Sequence, residues 1–450
     1  MESIDQATAK SYAKMTVYAA FLAVFCLFGY RSSFSIMQKI MIADTGWTST
    51  QVSLGYCFMM TLYGITAFFS GRLVDTKGTR PVYFIGAVCC FLGFFLTSFI
   101  PAGGGTAPSW AFPLYLFTYG VFAGIGTGML WVSSTISCRK WYVGAEYGKN
   151  WGIAFAGAPL AQLLLTIVVS PILKSAGWQM GMKVLSVIMA VFLVVAGLIA
   201  KPMPDKVGCK PFGLDSLPKK AAPEKPAREW TRGTAFKTPH IWLDIFAFMF
   251  AVMGEFLIWS QIVLFFSNNY AVNGVGWGEY FPLEGVPLLG GIPLANLIYM
   301  VIGLAGLFTM PLTGSFSDWL VKKMGDERAA RKWILVIAPA CGIIGCLLAM
   351  SGNIVLIIVG MIILACYWGM EPGGAAGYAG TVFGGKSLGA IWGLATLIVM
   401  GIGPSLGTFM GAFLPNATGN PMSTIYFGLF AFAVSLVCGF LLPTTAPKED

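Results

Sequence analysis

Apolar runs long enough to cross a bilayer follow one another along almost the whole chain, punctuated by Gly, Pro and charged residues. They fall at about 15–43, 51–71, 82–100, 112–137, 150–173 and 181–200, and again at about 240–269, 294–316, 334–351, 354–378, 387–412 and 424–442. An α-helix needs ~20 predominantly apolar residues to span hydrocarbon, and these runs approach or exceed that length. The pattern predicts an all-α membrane protein with twelve transmembrane helices in two pseudo-symmetric six-helix bundles, residues 1–200 and 240–450. Between them residues 201–239 are rich in Lys, Arg and Pro. Such a segment cannot enter hydrocarbon and reads as a basic linker.

Composition agrees with the pattern. Hydrophobic residues make up 57% of the 450 and charged residues 10%, which excludes an ordinary water-soluble protein, where about a quarter would be charged. The net charge of +9 is first a topology signal. An even helix count puts both termini on one side, and assigning that side to the cytoplasm places 24 of the 28 Lys and Arg inside, nine of them in the linker. The exceptions are Lys174 and Lys183 in an outer loop and Arg31 and Lys39 in the first helix. This positive-inside bias accounts for the charge without a nucleic-acid partner. It predicts a multi-pass cell-membrane protein with cytoplasmic termini, whose linker meets anionic headgroups of the lipid bilayer.

The ten cysteines show no disulfide framework, since eight lie in apolar runs and Cys138 and Cys209 in or beside basic loops. The polar first residues carry both charge signs, so no removable signal peptide is expected. His240 is the only histidine, which leaves no zinc cluster and no His-based triad. Gly124-Ile-Gly126-Thr-Gly128 and Gly401-Ile-Gly403-Pro404 lie in apolar helices with no preceding strand, so they read as close helix packing rather than phosphate loops. No enzyme activity, metal or cofactor is expected.

The two halves share punctuation. Gly71-Arg-Leu-Val-Asp75 closes the second helix and Gly314-Ser-Phe-Ser-Asp318 the eighth, at an offset of 243. A duplicated six-plus-six chain is a transporter architecture, in which two bundles rock about a site near the bilayer midplane. The segment from Gly71 through Asp75 and Gly78 to Arg80 resembles the loop motif of the major facilitator superfamily between helices two and three, with Thr76 where that family usually has Arg. The resemblance implies that Gly71, Asp75, Gly78 and Arg80, with Asp318 in the second half, form a gating latch. Phe28 to Met37, Asp44-Thr-Gly-Trp47, Gly152 to Gly157 and Gly177-Trp178 are similar to the branch containing monocarboxylate transporters and oxalate/formate antiporters. The residues departing from that branch are the uncharged run at 294–316 and Lys386, the only basic residue near the eleventh helix.

Arg31 lies about sixteen residues, roughly 24 Å, into the first helix, near the midplane. Insertion there costs about 2.5–3.5 kcal/mol, which makes the guanidinium a functional candidate by default. Ser35 and Gln38 extend one polar stripe from it, and the planar fork matches a carboxylate, so Arg31, Ser35 and Gln38 are expected to bind an anionic substrate. Glu255 sits at the corresponding depth in the seventh helix and is placed to face Arg31. Glu371, in the tenth helix, shares a face with Tyr367 and Tyr378 and adjoins Pro372-Gly373-Gly374, where the helix is expected to weaken. A carboxyl in low dielectric can carry a proton, so Glu255 and Glu371 are the candidate coupling sites. Thr127, Trp131, Ser134 and Trp259 are candidates to line the cavity. The chain therefore reads as a monomeric, proton-coupled secondary transporter of a small mono- or dicarboxylate. A carrier of an organophosphate, zwitterion or drug and a transport-dead receptor remain alternatives.

Overall fold

Gly177 divides the longest helical stretch in two. Gly144–Ile199 is 56 residues of nearly continuous helix, about 84 Å at 1.5 Å per residue, far more than a hydrocarbon core about 30 Å thick. At Gly177 the backbone takes φ 76° and ψ 176°, which a residue with a Cβ rarely adopts, and the stretch becomes two crossings. The computed structural model describes residues 4–101, 103–214, 230–272, 275–279, 292–384 and 388–447, with Val272 and Val275 by backbone only.

Among the described residues twelve helices cross: α1 (Gln6–Thr45), α2 (Ser49–Lys77), α3 (Thr79–Thr97), α4 (Ala111–Trp141), α5 (147–176), α6 (178–199), α7 (Pro239–Asn269), α8 (Leu294–Met324), α9 (Glu327–Ala349), α10 (Ile354–Phe383), α11 (Leu388–Thr418) and α12 (Ser423–Leu441). A π-helical stretch, Leu116–Phe122, interrupts α4. The first six helices form one bundle and the last six the other, making a multi-pass membrane protein.

Several helices overrun the apolar runs that announce them, because a helix leaving the bilayer keeps its backbone bonds when its ends are capped. Asp5 accepts from the Thr8 N–H at 3.4 Å, so α1 begins well before residue 15, and Asp326 accepts from Arg328 and Ala329 at 2.9 and 3.3 Å. Arg331, which the apolar runs leave in a loop, thus lies inside α9, 1% exposed. At the weak point expected in α10 the helix does not break but runs on through Pro372-Gly373-Gly374. There the missing side chains make room for Trp151 from α5 and Ile334 from α9. Part of the linker is tied down, with Phe212 N–H bonded to the Trp141 carbonyl at 2.8 Å. Linker residues 215–229, Lys386 and Lys448 lie outside the described residues.

The bundles meet mainly where α2 crosses α11 and α5 crosses α8, with α1 against α7 at the centre. Both outer crossings depend on glycine pairs. A Cβ on Gly64 would lie 2.6 Å from Gly401 Cα, and one on Gly314 would strike the Gly148 carbonyl. Small residues let helix backbones approach this closely, as transmembrane packing requires. Large apolar side chains such as Phe69, Phe308 and Leu312 are exposed on the outside, whereas Arg31, Gln38, Gln162, Glu255, Gln261 and Glu371 are buried within. This is the distribution expected where the outer solvent is lipid.

Candidate functional site

Arg31 stands at the α1–α7 crossing, 1% exposed, with Nη1 donating to Glu255 Oε1 at 2.6 Å across the two bundles. Aromatic rings surround it. Its guanidinium carbon is 4.3 Å from the Trp368 ring centroid, 4.4 Å from Phe28, 4.9 Å from Phe256 and 5.9 Å from Trp259. Ring faces partly replace the hydration a buried cation loses, and Glu255 supplies the countercharge. The other edge of the fork is open, since Nε and Nη2 have no hydrogen-bond partner among the described residues. That edge presents two parallel N–H donors, the geometry that binds a carboxylate or phosphate bidentately.

The face of the molecule opposite the termini is closed. Ser35 donates to the carbonyls of Trp259 and, at 3.2 Å, Ser260. Gln38 Nε2 reaches Ser53 Oγ at 3.1 Å and Gln261 Oε1 at 3.2 Å. Beside them Thr61 meets Ser405 at 3.1 Å, and Gln162 donates to the Tyr299 carbonyl. On the face carrying the termini a cavity of about 940 Å³ opens between the bundles, bordered by Thr135, Arg139, Lys140, Cys209, Gly380 and Trp392. Its rim is bridged in part. The Asp318 carboxylate accepts the N–H groups of Gly148 and Lys149 at 2.8 and 2.7 Å, near the start of α5, and Arg139 pairs with Glu327 at 3.2 Å. A carboxylate on free N–H groups at a helix start is favoured by the helix dipole. Between cavity and Arg31 stands an aromatic column in which Trp392 stacks on Phe248 at 6.1 Å, Phe248 reaches Trp131 at 6.5 Å, and Trp131 reaches Phe28 at 6.5 Å.

The structure gathers some of the sequence candidates and disperses others. Arg31, Glu255, Trp259 and Trp131 belong to the central cluster, and Tyr367 faces Glu255. Ser35 and Gln38 hold the far-side closure instead of lining an open site. Thr127 and Ser134 donate to their own helix backbone, at Ala123 and Leu130 (2.7 and 2.8 Å), and turn toward Tyr30 and Tyr83 of the same bundle. Tyr378 donates to the Pro443 carbonyl at 2.6 Å, at the face carrying the termini. Glu371 is fully buried in α10, and neither oxygen has a hydrogen bond among the described residues.

The motif residues have separate local partners. Asp75 pairs with Lys140 at 2.8 Å and lies against Gly389 of α11, while Gly71 lies against Val132 of α4. Arg80 donates to the Gly197 and Leu198 carbonyls at the end of α6, both at 3.1 Å, and Gly78 takes φ 81° between α2 and α3. Asp44 and Trp178, far apart in sequence, meet at 2.8 Å. Three buried charges among the described residues escape the sequence reading: Arg331, its partner Glu327, and Asp244 of α7, which is 0% exposed with both oxygens unpartnered among the described residues. Asp244 is visible as the one acid in PHIWLDIFAF, but it stands so near the start of its run that it passes for an interfacial residue.

The profile of the Major Facilitator Superfamily matches residues 20–408. A probable hexose phosphate transport protein of Chlamydia muridarum is 22% identical over 68% of this chain and 64% of its own length. The probable sulfoacetate transporter SauU of Cupriavidus necator is 24% identical over 71% of this chain and 69% of its own. This chain thus spans about 64% of the length of the first of these relatives. Among solved structures, that of the proton:xylose symporter XylE superposes with a TM-score of 0.63 at 15% identity, covering 98% of this chain and 97% of that one. At such identity the likeness is one of fold, and it agrees with the two bundles and their central crossing. The chain belongs to the Major Facilitator Superfamily.

Proposed function

We propose that this protein is a secondary active transporter of a small organic anion, a mono- or dicarboxylate, moved by alternating access together with a proton. The observation that carries the reading is the open Nε/Nη2 edge of Arg31 at the crossing of the two bundles. A bidentate anion is the ligand that edge fits, and the substrates for which the two relatives are named, a hexose phosphate and sulfoacetate, are also anions. A single guanidinium already sharing its charge with Glu255 favours one carboxylate at the fork over a doubly charged phosphate. Trp131, Trp259, Trp368 and Tyr367 then hold the apolar body of the substrate.

Glu255 supplies the coupling. In the empty carrier it pairs with Arg31. When it takes a proton the pair is released and the cluster turns positive, which draws the anion to the fork. Rocking of bundle 1–200 against bundle 240–450 breaks the contacts of Ser35 and Gln38, completes the latch at Asp318, Gly71, Asp75, Gly78 and Arg80, and turns the site to the other side. Glu371 is a second proton site.

A thermal-stability screen of the purified chain against pyruvate, lactate, oxalate, sulfoacetate, glucose 6-phosphate, glucose and choline tests the substrate class. The carboxylates should stabilise most, since a ligand at 100 times its Kd contributes about 2.7 kcal/mol. Stabilisation by glucose or choline alone would remove the anion reading, and binding without accumulation in liposomes would favour a receptor.

The same reading puts both termini and the linker 201–239 in the cytoplasm of a cell-membrane protein. Cys209 lines the cavity on that side. A membrane-impermeant thiol reagent should therefore leave Cys209 unmodified in intact cells while a permeant one reacts. Labelling from outside would reverse the orientation.

A further inference from the structure

The last residues of the described chain lie across one end of the C-terminal bundle as a strap. Three consecutive carbonyls hold it there. Pro443 accepts from Tyr378 Oη at 2.6 Å, Thr444 from Arg328 Nη1 at 3.4 Å, and Thr445 from His240 Nε2 at 3.0 Å. One helical turn above His240 on α7 lies Asp244, fully buried and unpartnered among the described residues, and on α10 lies Glu371 in the same condition. The two are within electrostatic reach of each other, and Glu371 is also within reach of Glu255. Asp244 and Glu255 are about 16 Å apart along α7 at 1.5 Å of rise per residue, and Glu371, on a helix packed against α7, feels the charge of both. The Tyr367 hydroxyl faces Glu255, one turn before Glu371 on the same helix. Buried carboxyls are ordinarily tied by hydrogen bonds. Two that are not, in the same bundle as a third that pairs with Arg31, need a reason.

The charged neighbours sharpen the point. From α9, Arg328 is engaged by the strap and by the Thr381 carbonyl at 3.2 Å, and Arg331 lies along Gly377 but is held by Ser317, Glu327 and Asp318. Helices α11 and α12, which also pack on α7, carry no charged residue. From α1 only Arg31 reaches this column, and it faces Glu255. One guanidinium therefore stands against three buried carboxyls, and protons must be held among them. Neither Asp244 nor Glu371 borders the 940 Å³ cavity, so the column approaches Arg31 by a way separate from that cavity and meets the anion site only there.

We propose that Asp244, Glu371 and Glu255 form a proton route inside the C-terminal bundle, beginning beneath the Pro443–Thr445 strap and ending at the Arg31 ion pair. A proton leaves a hydronium ion at the strap for an oxygen of Asp244, passes to Glu371 and then to Glu255, which gives up its pairing with Arg31. The first transfer leaves water and a neutral Asp244, and each later one neutralises the accepting carboxylate and re-ionises the donor. The route rests on the reading of Glu255 as the proton carrier.

Deuterium exchange reads the route without any substrate. The full chain in lipid nanodiscs is switched to D2O, and the carbonyl stretch of its protonated carboxyls is followed by infrared spectroscopy, with bands assigned by their loss in Glu371→Gln and Asp244→Asn. Exchange at Glu371 should slow at least tenfold in Asp244→Asn and stay within threefold of wild type in Asp244→Glu, which keeps the acid. An unchanged rate in Asp244→Asn, or an equal slowing in Asp244→Glu, would overturn the route. Tyr378→Phe removes a strap bond and leaves every carboxyl in place, so it should speed exchange at Asp244 several-fold. An unaltered rate there would overturn the strap as its mouth, including where Asp244→Asn fails to fold. Loss of anion binding at Arg31 leaves this readout intact, and failure of Glu255 in transport with normal exchange at Glu371 would locate the fault in the coupling reading instead.

Discussion

Arg31→Gln should abolish saturable anion uptake and also destabilise the protein, and the two losses should separate in a double variant. Removing the guanidinium leaves Glu255 3% exposed with no countercharge, a situation that costs about 3–5 kcal/mol in buried pairs. Arg31→Gln/Glu255→Gln removes both charges and keeps an amide pair of similar shape at the crossing. It should recover most of the stability, read by thermal or denaturant unfolding, yet bind no anion. Arg31→Lys keeps the charge but replaces the fork with a point charge, so affinity should fall at least tenfold, about 1.4 kcal/mol. Wild-type affinity in the double variant would end the assignment of Arg31 to substrate, and an unrecovered stability would mean that the pair's structural role lies in more than its charge.

Glu255→Gln separates binding from coupling. The amide mimics the protonated carboxyl permanently, and Arg31 is left to the substrate. This variant should bind carboxylate at least as tightly as wild type and exchange it across liposomes at equal pH. A pH gradient should no longer drive accumulation, because no proton can be released at the site. Wild-type accumulation under a pH gradient would rule out Glu255 as the carrier, whereas loss of both exchange and binding would mark it as a structural partner of Arg31.

Much of this protein is written in its sequence, because the bilayer imposes severe conditions. Every backbone group in hydrocarbon must be bonded within a helix, so spans appear as long apolar runs. A charge inside such a run is costly, which makes Arg31, Glu255 and Glu371 conspicuous. The duplication is legible in the Gly-x-x-x-Asp punctuation at Asp75 and Asp318, and the equal depth of Arg31 and Glu255 follows from counting residues along α1 and α7.

Tertiary structure decided what those residues meet. In a water-soluble helix the polar face marks its outward side, but a transmembrane helix is apolar toward lipid and toward its neighbours alike, so its rotation leaves little trace in the sequence. Thr127 and Ser134 lie on one predicted face, yet they bond their own backbone and turn toward Tyr30 and Tyr83. The rings around Arg31 come from three helices, with Phe28 on α1, Phe256 and Trp259 on α7, and Trp368 on α10. Asp244 and Arg331 stand close enough to helix ends to pass for interfacial charges, and only packing buries them: Asp244 beneath the strap, Arg331 among Ser317, Asp318 and Glu327. Hydropathy thus determined which segments cross and which charges are anomalous, while the facing of each helix, and with it the composition of the site, was settled by the contacts that close the two bundles on each other.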